Sequence, residues 1–266
     1  MPFTDDFERS DLGADWADDG PLPNDWATVR AASFLADGAY QSGEYVSEGE
    51  FESAMGSIRR TTNAGTDQFI EAEVGNFFQG HDPAVGERFQ WVEGEVWLFA
   101  QIVSGSMASV GVQIFIDSGG TGSHAGQGHC YMQIVTTDAA GTTSYFGDGE
   151  VFPLTGWQSN PAYTVRLEVS AGGHVRAYFE GALVAEDDVT PTGGQHLGIG
   201  MQWLLTRYPL GDPPNPGTSL RFNWVTGSDV VIGGGWRVGG LGQPRWGESV
   251  AARTAAQRRA RRVLAP

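Results

Sequence analysis

Short stretches in which apolar and polar residues alternate, separated by glycine turns, recur along the first 228 residues of this chain. The clearest runs from Tyr163 to Val169 and has an apolar residue at every second position. Ala171-Gly172-Gly173 and Glu180-Gly181 then turn the chain into two further apolar runs. A period of two is that of a β-strand with one buried face, so the pattern predicts hairpins rather than helices.

About a dozen segments fit this pattern, including 26–35, 39–46, 67–78, 89–103, 110–117, 130–136, 163–169, 175–179, 183–185, 197–205 and 220–225. Segment 110–117 is almost continuously apolar, which is typical of a central strand covered on both faces. A content of 39 Gly, 9 Trp and 14 Phe suits short strands joined by tight turns. We therefore predict an all-β fold, a two-sheet antiparallel jelly-roll sandwich.

Charge divides the chain into two parts. Residues 1–228 carry nine Arg against 30 Asp and Glu, a net charge of −21, whereas residues 229–266 carry seven Arg against two acids, a net charge of +5. The acidic part would repel phosphate, so we expect no nucleic-acid partner. We predict a sandwich domain over 1–228 and, over 229–266, a Gly-rich linker and an Arg-rich docking tail, with its helix at 248–264.

Other features narrow the class of protein further. Cys130 is the single cysteine, which excludes an internal disulfide and favours a small buried core residue. The acidic N-terminus lacks the basic and apolar blocks of a signal peptide. No run approaches the roughly 18 apolar residues that a membrane span requires. We therefore expect synthesis in a host cytoplasm and no membrane span.

Two groups of segments carry a family resemblance. Residues 3–16, FTDDFERSDLGADW, resemble the start of a domain found in minor tail proteins of actinobacterial phages. Segments 163–169, 175–181, 197–200 and 222–225 resemble the concanavalin-A-like or laminin-G-like jelly roll. The resemblance covers 1–228 and implies that the last strand, at 221–225, pairs near the first, at 3–7.

Related jelly rolls include β-glucan hydrolases, which carry a Glu-x-Asp-x-x-Glu arrangement on one strand. The closest groups here are Glu48, Glu50 and Glu52, Glu71 and Glu73, and Glu93 and Glu95. None of them matches that spacing, and alternating Glu residues also arise on a solvated strand face. No G-x-S-x-G nucleophile elbow occurs either. We therefore predict no enzymatic activity and no catalytic residues.

Aromatic and acidic residues supply the candidate binding sites of this chain. The candidates for stacking on sugar rings are Trp157, Tyr208, Trp91, Trp203 and Trp97, the alternative being that they fill the core or the sheet. No cofactor is predicted, although calcium at Asp187 and Asp188 is an alternative, because lectin-like sandwiches hold it with loop carboxylates. Ordinary turn carboxylates explain the same pair.

The basic tail is interpreted as an assembly segment or, alternatively, as a solvated terminus. Its candidate contacts are Trp236, Leu241, Trp246, Arg258, Arg259, Arg261 and Arg262. Taken with the resemblance, these features predict a structural virion component, a minor tail protein at the tail tip. Its expected partners are other phage tail proteins, host cell-envelope glycans and further copies of itself. The alternative functions are a glycan-cleaving hydrolase and a free carbohydrate-binding protein.

Overall fold

The computed structural model describes residues 3–7, 12–22, 34–36, 39–41, 51–75, 90–117, 128–154, 162–207 and 221–229. Within these ranges the chain forms strands and no helix. The strands are β1 (Phe3–Asp5), β2 (Trp16–Ala17), β3 (Phe34–Ala36), β4 (Ala39–Gln41), β5 (Phe51–Arg60), β6 (Gln68–Gly75), β7 (Gln90–Ile102), β8 (Ser109–Asp117), β9 (Gly128–Thr137), β10 (Thr143–Leu154), β11 (Tyr163–Val169), β12 (His174–Phe179), β13 (Ala182–Asp188), β14 (His196–Arg207) and β15 (Arg221–Asp229).

The strands form two antiparallel sheets. The eight-stranded sheet has the order β13-β12-β11-β6-β15-β4-β3, with β1 also paired to β15. The seven-stranded sheet has the order β10-β9-β8-β7-β14-β5-β2. All the strand pairs of the described residues are antiparallel, and many neighbours are distant in sequence, as in a jelly roll. The all-β two-sheet sandwich predicted from alternation is confirmed.

The core lies between the two sheets and is built by the apolar half of each alternation. On the eight-stranded side, Ile70, Val165 and Leu167 are fully buried. On the seven-stranded side, Val112 and Met132 are likewise fully buried. Cys130 belongs to this core, and burial raises the pKa of its thiol, so the expected small buried cysteine is confirmed. This packing leaves the second face of each sheet available for other contacts.

The two ends of the sandwich meet, as the family resemblance implies. Phe3, Thr4 and Asp5 of β1 pair with Gly227, Thr226 and Val225 of β15. Asp5 is buried and accepts hydrogen bonds from the Trp16 indole at 2.6 Å and the Phe7 backbone at 2.8 Å. The N-terminal residues therefore contribute to both sheets. Strand β1 pairs with β15 of the eight-stranded sheet, and β2 pairs with β5 of the seven-stranded sheet.

Several expectations are corrected or lie outside the described ranges. Segment 110–117 is central in its sheet but is not covered on both faces, because Gln113 and Phe115 are only half-buried. Segment 89–103 forms the single strand β7. The tail at 229–266, including the helix expected at 248–264, lies outside the described residues beyond Asp229. No helix among the described residues is long and apolar enough to cross a membrane.

Candidate functional site

The outer face of the seven-stranded sheet, opposite the core, carries two rows of side chains that cross strands β7 to β10. In the first row Asp148 pairs with Gln133, Gln133 with Gln113, and Gln113 with Trp97. In the second row Glu150 pairs with Tyr131, Tyr131 with Phe115, and Phe115 with Glu95. Adjacent strands lie about 4.8 Å apart, so each row spans about 14 Å. We call the seven residues other than Trp97 the outer rows.

Hydrogen bonds fix the carboxylates of the outer rows. The Gln113 amide donates to Glu95 Oε2 at 2.6 Å, which ties β8 to β7. The Tyr131 hydroxyl donates to Asp148 Oδ2 at 2.5 Å, and His129 Nε2 lies 3.0 Å from Glu150 Oε1. The Gln133 side-chain amide has no hydrogen-bond partner among the described residues, although it is half-buried. Amide and carboxylate groups thus lie beside the two half-buried aromatic side chains, Phe115 and Tyr131.

Tyr131 titrates abnormally because of its partner. The hydrogen bond to Asp148 raises the pKa of Tyr131 to about 12, with burial and the Asp148 charge acting in the same direction. Since unfolded tyrosine ionises near pH 10, the contribution of this contact to stability is complete below about pH 10. It is lost as the pH rises from about 10 to about 12, because only the unfolded chain releases its proton in that window.

A phenolate titration checks the Tyr131–Asp148 contact. The ultraviolet difference between the wild type and Tyr131→Phe is expected to show an ionisation centred near pH 12. In Asp148→Asn the midpoint should fall toward 10, because the carboxylate that opposes phenolate formation is gone. Tyr145 is an exposed tyrosine on β10, the strand of Asp148, and Tyr145→Phe serves as the control. A Tyr131 midpoint of 10 in the wild type would show that the contact is not formed.

Next to the outer rows lies a second, smaller hydrophobic cluster. Trp97, Phe99, Ile102 and Val135 are buried here, and Leu22 packs against them. The Trp97 and Phe99 rings stack with centroids 5.8 Å apart and an interplanar angle of 16°. Trp97 Nε1 is buried and has no hydrogen-bond partner within the part of the chain that the structure describes. The outer face therefore has an open polar part and a covered aromatic part.

The outer face of the eight-stranded sheet has a different character, because its charges satisfy one another. Arg166 pairs with Glu168 at 2.6 Å and Glu71 at 3.4 Å, and lies 4.4 Å over the Phe69 ring. Burial raises the pKa of Glu71, and the Arg166 charge opposes that rise. Glu168 also binds Arg176 at 3.1 Å. This closed network leaves fewer groups for a ligand than the outer rows do.

The side chains of Trp157, Tyr208, Trp91 and Trp203, which were predicted to stack on sugar rings, are not described by the structure. Trp157 and Tyr208 lie outside the described residues, as do the assembly contacts Trp236, Leu241, Trp246, Arg258, Arg259, Arg261 and Arg262. The backbones of Trp91 and Trp203 lie in β7 and β14, paired with Thr206 and Gly94 respectively, and their side chains are not described. These assignments stay predictions.

Asp187 and Asp188, the pair considered for calcium, make contacts within the protein. Asp187 Oδ2 accepts from the Gly147 backbone at 2.7 Å, and Asp188 Oδ1 lies 2.8 Å from His174 Nδ1. Across the described ranges, no group of three or more His, Cys, Asp and Glu side chains is arranged to hold a metal ion. A calcium site here would need ligands in addition to these two carboxylates.

Three solved structures with a similar arrangement are those of glycan-cleaving enzymes. A glycoside hydrolase family 16 endo-glucanase from Bacteroides ovatus is 11% identical with a TM-score of 0.50, covering 84% of this chain and 98% of its own. The β-glucanase of Bacillus licheniformis is 14% identical with a TM-score of 0.47, covering 85% and 97%. The κ-carrageenase of Pseudoalteromonas carrageenovora is 14% identical with a TM-score of 0.44, covering 84% and 92%. No family model and no curated protein matches this sequence.

At such identities the likeness to the endo-glucanase establishes a shared sandwich fold. It also corrects two predictions. A structural virion component at a phage tail tip, without enzymatic activity, is the wrong prediction, because the similar structure is that of a glycoside hydrolase. The resemblance of residues 3–16 to tail-protein domains and a location in the virion stay untested.

The outer rows were missed by the sequence analysis, with the partial exception of Glu95. Glu95 was considered as half of a Glu pair, and the other members were passed over as ordinary strand residues. The signal for them was the polar position beside each core residue, such as Gln133 between Met132 and Ile134. That signal becomes specific only when the register of β7 to β10 is known, because the rows join residues up to 55 positions apart.

Proposed function

We propose that this chain is a glycan-cleaving hydrolase that binds a neutral polysaccharide across the outer rows. The observation that carries the proposal is the row Glu150–Tyr131–Phe115–Glu95, in which two aromatic residues lie between two carboxylates. Sugar rings offer apolar faces to aromatic rings, and their hydroxyls bond to carboxylates and amides. The glucan-cleaving activity of proteins with this sandwich fold supports the choice of ligand.

Glu95 is the carboxylate we assign to the reaction. It is half-buried beside Phe115, and the Gln113 amide orients it at 2.6 Å. Hydrolases of glycosidic bonds need a second carboxyl group about 5–9.5 Å away. Glu150 is three strands distant, about 14 Å, and is too far to be that group.

Two acidic residues have backbone positions close to that of Glu95. Glu93 lies two residues earlier on β7, and a strand rise of about 3.4 Å separates their Cα atoms by about 7 Å. Asp117 ends the neighbouring strand β8, two residues after Phe115, the register partner of Glu95. We propose that one of these two acids is the partner of Glu95.

Charge favours a neutral polysaccharide over a sulfated one. The open part of the outer rows carries Glu95, Asp148 and Glu150, and the nearby Arg59 is engaged by Asp19 at 2.7 Å. A sulfated chain laid on these three carboxylates would be repelled. The whole chain adds to this effect, because its net charge is −16.

Digestion of a set of polysaccharides tests this proposal. The purified chain is expected to release oligosaccharides from a neutral mixed-linkage β-glucan, and not from κ-carrageenan, which is sulfated. Binding of both polymers is measured in parallel by affinity electrophoresis. Neither retardation nor product with any neutral polysaccharide would contradict the proposal, and retardation without product would reduce it to glycan binding.

A further inference from the structure

A short segment near the N-terminus lies across the outer face of the seven-stranded sheet. It comprises Asp19, Gly20, Pro21 and Leu22, and we call it the strap. Asp19 binds the Arg59 guanidinium through both carboxylate oxygens, at 3.0 and 2.7 Å. The Ser57 hydroxyl contacts Leu22 at both its backbone N–H (2.9 Å) and its carbonyl (3.3 Å). Both anchors are side chains of β5.

The strap covers aromatic rings. A Cβ built on Gly200 would lie 2.9 Å from Leu22 Cδ1 and 3.0 Å from Phe99, so Leu22 contacts the sheet where β14 lacks a side chain. Beneath it, Phe99 stacks on Trp97, which is only 5% exposed. Trp97 is also the register partner of Gln113, so the covered rings continue the first of the outer rows.

Trp97 Nε1 is the anomaly in this cluster. Buried indole N–H groups ordinarily find an acceptor, and leaving one unmet costs stability. This one has no partner among the described residues, although it stands beside a row of hydrogen-bonding side chains. A flat indole ring with a free donor at its edge is suited to a sugar ring, whose hydroxyl would accept from the N–H while its apolar face lies on the ring.

The strap is fastened by contacts that are weak in water. The Asp19 side chain is 49% exposed, so its pairing with Arg59 is partly screened by solvent. Leu22 is half-buried and lies at the margin of the cluster, whereas Trp97 and Phe99 form its interior. Opening the strap would therefore expose the rings without disturbing the core between the sheets.

We propose that the strap is a lid over a sugar subsite formed by Trp97 and Phe99, and that its release extends the glycan surface beyond the outer rows. This inference rests on the proposed function, since it assumes that a glycan occupies those rows. It adds regulation to that surface: the closed strap limits binding to the open polar part. The apparent affinity for a longer oligosaccharide then depends on the fraction of molecules with the strap open.

Two variants that loosen the strap test the lid. Asp19→Asn removes the ionic anchor, and Leu22→Ala removes the cover, while neither touches the outer rows. Both are expected to bind a mixed-linkage glucan tetrasaccharide about fivefold or more tightly than the wild type in calorimetric titration. Leu183→Ala, which shortens an exposed leucine of β13, is the matched control and should bind like the wild type.

A third variant shows whether Trp97 is the group uncovered. Trp97→Phe in the Leu22→Ala background keeps a ring but removes the N–H, and is expected to abolish the gain in affinity. Acrylamide quenching of the Trp97 fluorescence, taken as the difference from Trp97→Phe, should increase in Asp19→Asn and Leu22→Ala without any glycan. Unchanged quenching and unchanged affinity in folded variants would overturn the lid. Increased quenching with no glycan binding by any variant would overturn the subsite together with the proposed function, while leaving the movement of the strap established.

Discussion

Glu95→Gln is expected to lower the rate of glucan cleavage by about 10²–10⁴-fold, the usual contribution of a catalytic acid or base. The substitution keeps the size of the side chain and removes its charge. The Gln113 amide, which donates to Glu95 Oε2 at 2.6 Å, can still donate to the new amide oxygen. The fold and the binding of oligosaccharide should therefore be retained, while the rate of glucan cleavage falls. Rates of reducing-sugar release, together with a binding titration, measure the two effects separately.

Glu73→Gln is the matched control for this substitution. Glu73 is also half-buried, and it also accepts a hydrogen bond from a side-chain amide, that of Asn223 at 2.8 Å. It lies on β6 of the eight-stranded sheet, away from the outer rows. Equal activity losses in the two variants would trace the effect to stability rather than to the reaction. Full activity in Glu95→Gln would contradict our assignment of Glu95.

Gln101→Ala is expected to destabilise the fold by about 2–4 kcal/mol, because each buried polar group that loses its partner costs about 1–3 kcal/mol. The Gln101 side chain is fully buried and joins three segments. Its amide donates to the carbonyls of Thr66 and Ser170, each at 3.0 Å, and its oxygen accepts from the Thr192 backbone at 3.1 Å. Alanine would leave the Thr66 carbonyl and the Thr192 N–H without these partners, whereas the Ser170 carbonyl still accepts from the Gly173 backbone at 3.0 Å.

Urea unfolding of Gln101→Ala and Gln101→Gly separates the effect of the lost hydrogen bonds from the effect of the backbone conformation at this position. Gln101 has a φ of 48°, in the left-handed region that glycine adopts readily. The glycine variant should thus be less destabilised than the alanine variant by about 0.5–1 kcal/mol, although both lack the hydrogen bonds. Gln195→Ala is the control. Gln195 is exposed in the loop between β13 and β14, and its substitution should change stability by less than about 0.5 kcal/mol. A loss below about 1 kcal/mol in Gln101→Ala would show that the network contributes little.

The sandwich could be predicted from the sequence because apolar and polar residues alternate clearly in strands that have one buried face and one exposed face. Tyr163–Val169 and its partner β6 follow the expected pattern, with Val165 and Ile70 inside and Arg166 outside. The pairing of the first and last strands followed from the family resemblance rather than from the alternation. Turn glycines such as Gly173 and Gly181 take positive φ values of 89° and 78°, as their place between two strands required.

The candidate site could not be predicted in the same way. A polar residue such as Gln113 or Gln133 looks like an ordinary solvated position until strand order places it beside Glu95 or Asp148. The cover over the aromatic cluster was missed for a related reason, although Trp97 was among the predicted sugar-stacking residues. Trp97 and Phe99 fit a core-facing alternation equally well, and only the strap, contributed by residues 75 positions earlier, explains how they are buried on the outer face.

The position of a bound oligosaccharide tests the central claim most directly. A crystal structure of Glu95→Gln with a mixed-linkage glucan tetrasaccharide is predicted to show the sugar across the outer rows, with a ring against Phe115 or Tyr131 and hydroxyls bonded to Gln133 and Asp148. A tetrasaccharide seated instead on the outer face of the eight-stranded sheet, around Arg166 and Glu168, would contradict the account. So would unoccupied outer rows at a concentration that saturates the protein in solution.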